Sequence, residues 1–490
     1  MRRFWQDVLD YVGGVFFLRA IGLVSFIYAG KLLPPAHFGY FAMASVVISV
    51  GSALAQFGAS GLILRTFRLE GGRTLVRALP LMLVLWVAEA AALLAFGGVL
   101  AGMSDAFRAV ADHPSLVSLL LLTATCNVLL ACYLIASLRA RTVAVATSVR
   151  SVAYLGSLVG LATVERSYLA LLYATLAGDL AFIGCSVLRH WPAVAARLSE
   201  LRSLSWRRTL VDQARGGSVF LSSDLMGLLQ SQLVRIILSA YIPVAQLGVY
   251  AFFSGILSSL AQLPSAFQQA YTPRLIAAYQ QSADRTGRLL CNLMPVWAIG
   301  LTVGYLAAVA AGELGFYRLA FRADYLPHVG LLNAMLFVVV CGAMLQTFYF
   351  SYYVGTRNAA IRAHAIVNLV AFVGLQLVLI PLDGLRGAVT SEVLASAVQM
   401  VSLFAINYRL LIVGWTRRAF ETFLVFVASS TLVVVSVLLF ELTWSALLYG
   451  LAGLALAYGL RALPQLQEVY ESLCGRRQWM GIQSADLGKG

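Results

Sequence analysis

The chain is a succession of apolar stretches, each close to the length of a membrane crossing and separated by short polar connectors. A helix needs roughly 20 apolar residues to cross about 30 Å of hydrocarbon. Lipid offers the backbone no hydrogen bonds, so only helices or closed barrels can span it. The stretches predict about fourteen transmembrane helices, over residues 12–33, 38–63, 79–102, 115–138, 147–164, 168–188, 216–240, 246–270, 289–311, 328–352, 363–381, 387–408, 419–440 and 444–461. Only 11% of the residues are charged, against about 25% in a soluble chain. The expected fold class is an all-α polytopic membrane protein.

The first stretch reaches spanning length with no small-residue cleavage site after it, so it reads as a span and not as a cleaved leader. The formal net charge is +14, which in a soluble chain would suggest a nucleic-acid partner. Here the large majority of the 35 Lys and Arg residues fall on one side of the membrane, the side of both termini. That asymmetry places both termini in the cytoplasm and accounts for the basic balance with no nucleic acid. The longest loop on the opposite side, about 312–327, is too short for a catalytic domain. The six cysteines are scattered without metal-ligand spacing and read as packing residues.

A shift of 209 residues aligns 34–65 with 243–274. Identities fall at Pro34/Pro243, Ala36/Ala245, Gly39/Gly248, Ala42/Ala251, Ser45/Ser254, Ser49/Ser258, Leu54/Leu263 and Arg65/Arg274. Six spans separate the two windows, so the halves share one orientation, a parallel repeat about an axis along the membrane normal. The expected organisation is an N-lobe over 1–190 and a C-lobe over 216–410, with a V-shaped central cavity between them. A basic cytoplasmic connector over 191–215 joins the lobes, either an interfacial helix or a solvated linker. Helices 13 and 14 occupy 411–462 and a cytoplasmic tail 463–490.

Ionisable groups inside spans usually face a bundle interior or cavity, because insertion costs about 2.5–3.5 kcal/mol each. Arg19 lies roughly 10 Å into the first span at 1.5 Å per residue. It either snorkels or pairs with a neighbouring helix, or it meets an anionic group in a cleft. On the seventh span Asp224, Ser231 and Arg235 share a stripe, with the two charges roughly 16 Å apart along the axis. They read as a hydrophilic cavity lining or as interhelical pairing. Glu89, Asp179 and Glu392 are either arginine partners or carriers of a coupling ion. The aromatic run at 348–355 reads as an interfacial belt, and amides such as Asn127, Gln232, Asn333 and Asn368 can bridge helices. No G-x-x-x-x-G-K-[ST] loop occurs, so the chain is not itself an ATPase.

The opening pattern "FLRAIGLVSFIYAGKLLPPAHFGYFAM", with Arg19, Lys31, Leu32, Pro34, Phe38 and Gly39, resembles the polysaccharide-type flippases, as does "LGVY" at 247–250. That family includes the Wzx-type O-antigen flippases of the multidrug/oligosaccharidyl-lipid/polysaccharide exporter superfamily. Ala36 and His37 depart from it where acidic residues are common, and Val234 where an aspartate often stands. The resemblance implies a monomeric transporter, not an enzyme, in the bacterial inner membrane. It would move an undecaprenyl-diphosphate-linked oligosaccharide, an O-antigen or exopolysaccharide repeat unit, from the cytoplasmic to the periplasmic leaflet. Arg19, Arg235 and Lys31 are the implied diphosphate contacts, with Asp224, Ser231, Glu89, Asp179 and Glu392 lining the cavity or coupling an ion. No cofactor is implied; a proton or sodium gradient or the membrane potential would supply energy. A polymerase or other envelope polysaccharide machinery is an implied partner. A lipid II flippase and a cation-coupled multidrug exporter are alternatives within the superfamily. An envelope polymerase or ligase is disfavoured by the short outer loops.

Overall fold

The computed structural model describes residues 20–70, 73–137, 139–189, 205–284, 286–287, 301, 304–305, 307–346 and 358–414. Arg19, the connector at 191–204, most of the ninth expected span, the run at 348–355 and the last two expected spans lie outside the described residues, as does the side chain of Ser231. Every regular element among the described residues is helical, and eight are long and apolar enough to cross a membrane.

The first half comprises α1 (Ala20–Leu32), α2 (Pro35–Gln56), α3 (Ala59–Glu70), α4 (Arg73–Met103), α5 (Pro114–Ala136), α6 (Ala140–Val164) and α7 (Tyr168–Arg189). The second half comprises α8 (Trp206–Tyr241), α9 (Val244–Gln281), α10 (Val329–Gln346) and α11 (Asn358–Gly414). Prolines set several starts. Pro35 and Pro114 occupy first-turn positions, where the missing N–H would have no intrahelical partner anyway.

Three boundaries differ from the apolar pattern. The expected second span ends at Gln56, because Phe57 (φ 45°) and Gly58 (φ 69°) turn left-handed; α3 then leaves as a separate helix carrying Ile63 inward and Arg65 outward. Helix α8 begins at Trp206, ten residues before the expected span, since nothing in "WRRTLVDQAR" breaks a helix. Helix α6 begins at Ala140, seven residues before the expected span, so Arg150 stands ten residues inside the helix and not close to its start. Helix α11 is broken at Asp383 and Gly384 (φ 52°), just after Pro381. Its two arms fold back on one another, as His364 Nδ1 meets Ser402 Oγ at 2.7 Å and Ser402 Oγ donates to Asn368 Oδ1 at 3.2 Å. These arms are the expected eleventh and twelfth spans.

The two windows related by the 209-residue shift are α2 and α9, and they pack against each other. Gly39 sits against Val244, and Gly248 against Pro35 and the Gly39 amide. Under the shift Gly39 corresponds to Gly248 and Pro35 to Val244. The contact is therefore reciprocal, as a two-fold axis requires of a self-complementary patch. Small residues at such crossings let backbones approach, the main route to tight helix packing in lipid. Beside the crossing lies an aromatic core. Phe252 is 4.5 Å from Tyr325, 5.2 Å from Phe321 and 5.3 Å from Phe38, centroid to centroid. Phe321 and Tyr325 come from the segment between α9 and α10, expected to be an open loop, which instead folds into the short helices Tyr317–Ala320 and Ala323–His328.

Candidate functional site

Where α2, α3, α5 and α8 meet they flank an open cavity of about 530 Å³. Its polar wall is Ser49, Ser52 and Gln56 of α2, Ser60 of α3 and Asp224 of α8; Ala124 and Val128 of α5 are among its apolar lining. Positions 49, 52 and 56 recur at three and four residues, one face of α2, and Ser60 joins them from α3 across the Phe57–Gly58 turn. Ser60 Oγ donates to Asp224 Oδ2 at 3.3 Å, joining the two halves of the chain. Gln56 Nε2 and Thr125 Oγ1 each donate to Ser52 Oγ at 3.1 Å. Among the described residues Asp224 is the only charged one in the lining. The cavity thus offers a carboxylate, hydroxyls and an amide, a set that exchanges hydrogen bonds with polyols.

The other candidates are distributed around it. Arg235 shares α8 with Asp224, yet its guanidinium is engaged inside the second half. Nη1 donates to Gln232 Oε1 at 3.1 Å and Nη2 to Ser254 Oγ at 3.3 Å. Tyr250, one turn before Ser254 on α9, donates its hydroxyl to Glu392 of α11. The stripe read from the sequence therefore divides: Asp224 meets the cavity, and Arg235 joins the Tyr250–Glu392 cluster. In the first half Asp179 is buried and pairs with Arg150, Nη2 to Oδ1 at 2.7 Å, while Thr123 Oγ1 donates to its other oxygen at 3.3 Å. Glu89 of α4 lies next to Gly51 of α2, and its Oε2 is buried with no hydrogen-bond partner among the described residues. Lys31 is exposed and donates to the Leu319 carbonyl at 2.7 Å, tying α1 to the second half.

Cross-contacts join the halves at both ends of the bundle. At the end where α2 and α9 begin, the Lys31 bond is joined by Tyr325 Oη to the Leu33 carbonyl at 3.3 Å and Ser104 Oγ to the Ser239 carbonyl at 2.7 Å. At the other end the Phe57–Gly58 turn rests on the backbone at Gly217. The sequence reading missed Arg150 by starting its helix seven residues late. It also passed over the cavity wall on α2, although the Ser49–Ser52–Gln56 spacing was available as a signal.

This arrangement is that of known polytopic exporters. The lipid II flippase MurJ in an inward closed conformation superposes with a TM-score of 0.67 at 12% identity, covering 94% of this chain and 100% of that one. An inward-facing multidrug resistance MATE family transporter of the MOP superfamily gives 0.58 at 16% identity, covering 82% of this chain and 96% of that one. The eukaryotic MATE transporter AtDTX14 gives 0.50 at 16% identity, covering 86% and 98%. At these identities the likeness is one of fold. The sequence itself carries the narrower assignment: the profile of the polysaccharide biosynthesis proteins matches residues 30–310, and the chain belongs to that family. No curated protein matches it.

Proposed function

We propose that the protein is a flippase that moves an undecaprenyl-diphosphate-linked oligosaccharide, an O-antigen or exopolysaccharide repeat unit, from the cytoplasmic to the periplasmic leaflet of a bacterial inner membrane. The observation that carries the reading is the open cavity with a polar wall between the two halves of a membrane-spanning chain of the polysaccharide biosynthesis family. A lipid tail needs no such cavity, whereas a string of sugar hydroxyls needs donors and acceptors wherever it leaves water. Ser49, Ser52, Gln56, Ser60 and Asp224 supply them on three elements, α2 and α3 of the first half and α8 of the second.

Alternating access then requires that the cross-contacts at one end of the bundle part while those at the other hold. Lys31, Arg235 and Arg19 remain the sequence's candidates for the diphosphate. A headgroup reaching Arg235 has to displace its bonds to Gln232 and Ser254. The carboxylates Asp224, Glu89, Asp179 and Glu392 are the groups on which a proton or sodium gradient would act.

The test is leaflet-to-leaflet transfer of a labelled undecaprenyl-diphosphate oligosaccharide in liposomes, with and without an imposed ion gradient. Wild type is compared with Asp224→Asn and Gln56→Ala, each checked for folding. Transfer by wild type that falls at least tenfold in both variants supports the reading. Folded wild type that moves no lipid-linked oligosaccharide under any gradient overturns it. Transfer unchanged in both variants removes the cavity from the pathway.

A further inference from the structure

Arg150 is a cation held in an unusual way. It stands ten residues into α6, about 15 Å along the helix axis at 1.5 Å per residue. Its partner Asp179 has a side chain only 2% exposed, while the Arg150 side chain is 44% exposed. Here a buried carboxylate, its other oxygen held by Thr123, grips one guanidinium nitrogen and leaves the rest of the fork open.

The direction of that opening follows from the helix itself. Val149, Arg150, Val152, Gly156, Val159, Gly160, Thr163 and Val164 are the exposed positions of α6 along this stretch. At 100° per residue all but Arg150 form one weakly polar to apolar stripe, and Arg150 falls about 120° around the helix from its centre. The stripe is the face fit for lipid. A charge inside a span usually faces a bundle interior or a water-filled cavity, which agrees with Arg150 standing off the centre of that stripe. On the same side Ser157, seven residues further on, returns to within about 20° of Arg150. The opposite flank is closed by α7, where Gly178 packs against the Arg150 backbone and the first carbons of its side chain.

We infer that Arg150, positioned by Asp179, is an anion-binding site for the phosphate groups of the lipid-linked substrate, set in the first half away from the sugar-binding cavity. The inference rests on the flippase reading above. A guanidinium fixed by one nitrogen keeps its remaining N–H donors in a rigid fork that matches two phosphate oxygens. Thr123 and Asp179 are positioning residues, because they act through Arg150. Asp224, the charge in the cavity, has the wrong sign for a diphosphate, so headgroup and glycan are sorted onto different walls.

The experiment measures binding of undecaprenyl diphosphate, undecaprenol and inorganic diphosphate to the full chain in detergent by native mass spectrometry. Wild type is compared with Arg150→Ala, Arg150→Lys and the double variant Arg150→Gln/Asp179→Asn, which leaves no orphaned charge in case the alanine variant does not fold. Wild type is expected to prefer undecaprenyl diphosphate to undecaprenol, and to bind inorganic diphosphate at least tenfold more weakly than the lipid. Arg150→Ala and the double variant should lose tenfold or more of the lipid diphosphate affinity with undecaprenol unchanged. Arg150→Lys, a point charge without the fork, should fall between. Folded variants that keep the wild-type preference overturn the Arg150 assignment alone. Wild type that binds the two lipids equally overturns the flippase reading with it. Inorganic diphosphate bound as tightly as the lipid assigns the site to soluble phosphates and ends the substrate assignment.

Discussion

Replacing Gly248 by alanine tests the contact on which the two halves meet. An ideal Cβ there would lie 2.9 Å from the Gly39 amide nitrogen and closer still to the Pro35 carbonyl oxygen. Ordinary Cβ contacts begin near 3.4 Å. The helices would have to separate by about 0.5 Å at the amide and by more at the carbonyl, and both obstacles are backbone, which cannot swing aside. Overpacking of this kind costs about 1–3 kcal/mol, partly offset by the 0.5–1 kcal/mol that alanine gains over glycine inside a helix. The control is Gly156→Ala on α6, where a Cβ would meet nothing within 4 Å and only the gain applies. Thermal unfolding in detergent should place Gly248→Ala below wild type and Gly156→Ala at or above it. The penalty exists only while this end of the bundle is closed, so the variant should also favour the conformation in which it opens. At 1.4 kcal/mol per tenfold, a shift of several-fold is expected. It can be read as slower disulfide formation between cysteines placed at Ser104 and Ser239, in a background without the native cysteines. A Gly248→Ala protein that matches Gly156→Ala in stability and cross-links at the wild-type rate would refute the reasoning.

Three further outcomes follow from single contacts. Ser104→Ala removes both its bond to the Ser239 carbonyl and its cap on the Ala106 amide, and should lower stability by about 1–2 kcal/mol while raising the opening of that end in hydrogen exchange. Glu392→Gln keeps an acceptor for Tyr250, so in thermal unfolding it should be milder than Glu392→Ala, which leaves the Tyr250 hydroxyl buried without its acceptor at about 1–3 kcal/mol. Gly384→Ala forces a side chain onto a residue with φ 52° and sets its Cβ 3.2 Å from Ile242. It should cost about 1–3 kcal/mol and loosen the two arms of α11, seen as faster proteolysis near residue 384.

Much of the fold can be read along the chain. The bilayer makes its demand on each stretch separately, length and apolarity, and a run of residues answers it without reference to the others. Pro35 and Pro114 mark helix starts through a missing N–H, and Pro381 announces the break at Asp383 and Gly384 through the same local chemistry. The repeat was legible because both halves keep a glycine at the crossing, and the structure gives those glycines a shared task. The break at Phe57 was not legible. A phenylalanine with positive φ is against its own preference, and the turn rests on the approach of Gly217 from another helix.

The site divides along the same line. Sequence alone determined that charges such as Asp179, Asp224 and Arg235 lie inside spans, where each has to find a partner, water or a ligand, because hydrocarbon solvates none of them. Only the tertiary structure decided which. It turned Asp224 to Ser60 and a cavity, enclosed Arg235 with Gln232 and Ser254, and set Arg150 in an ion pair with Asp179. The physical reason is range. A helix is specified by neighbours within a turn or two, whereas a hydrogen bond between helices depends on how whole faces pack across the bundle.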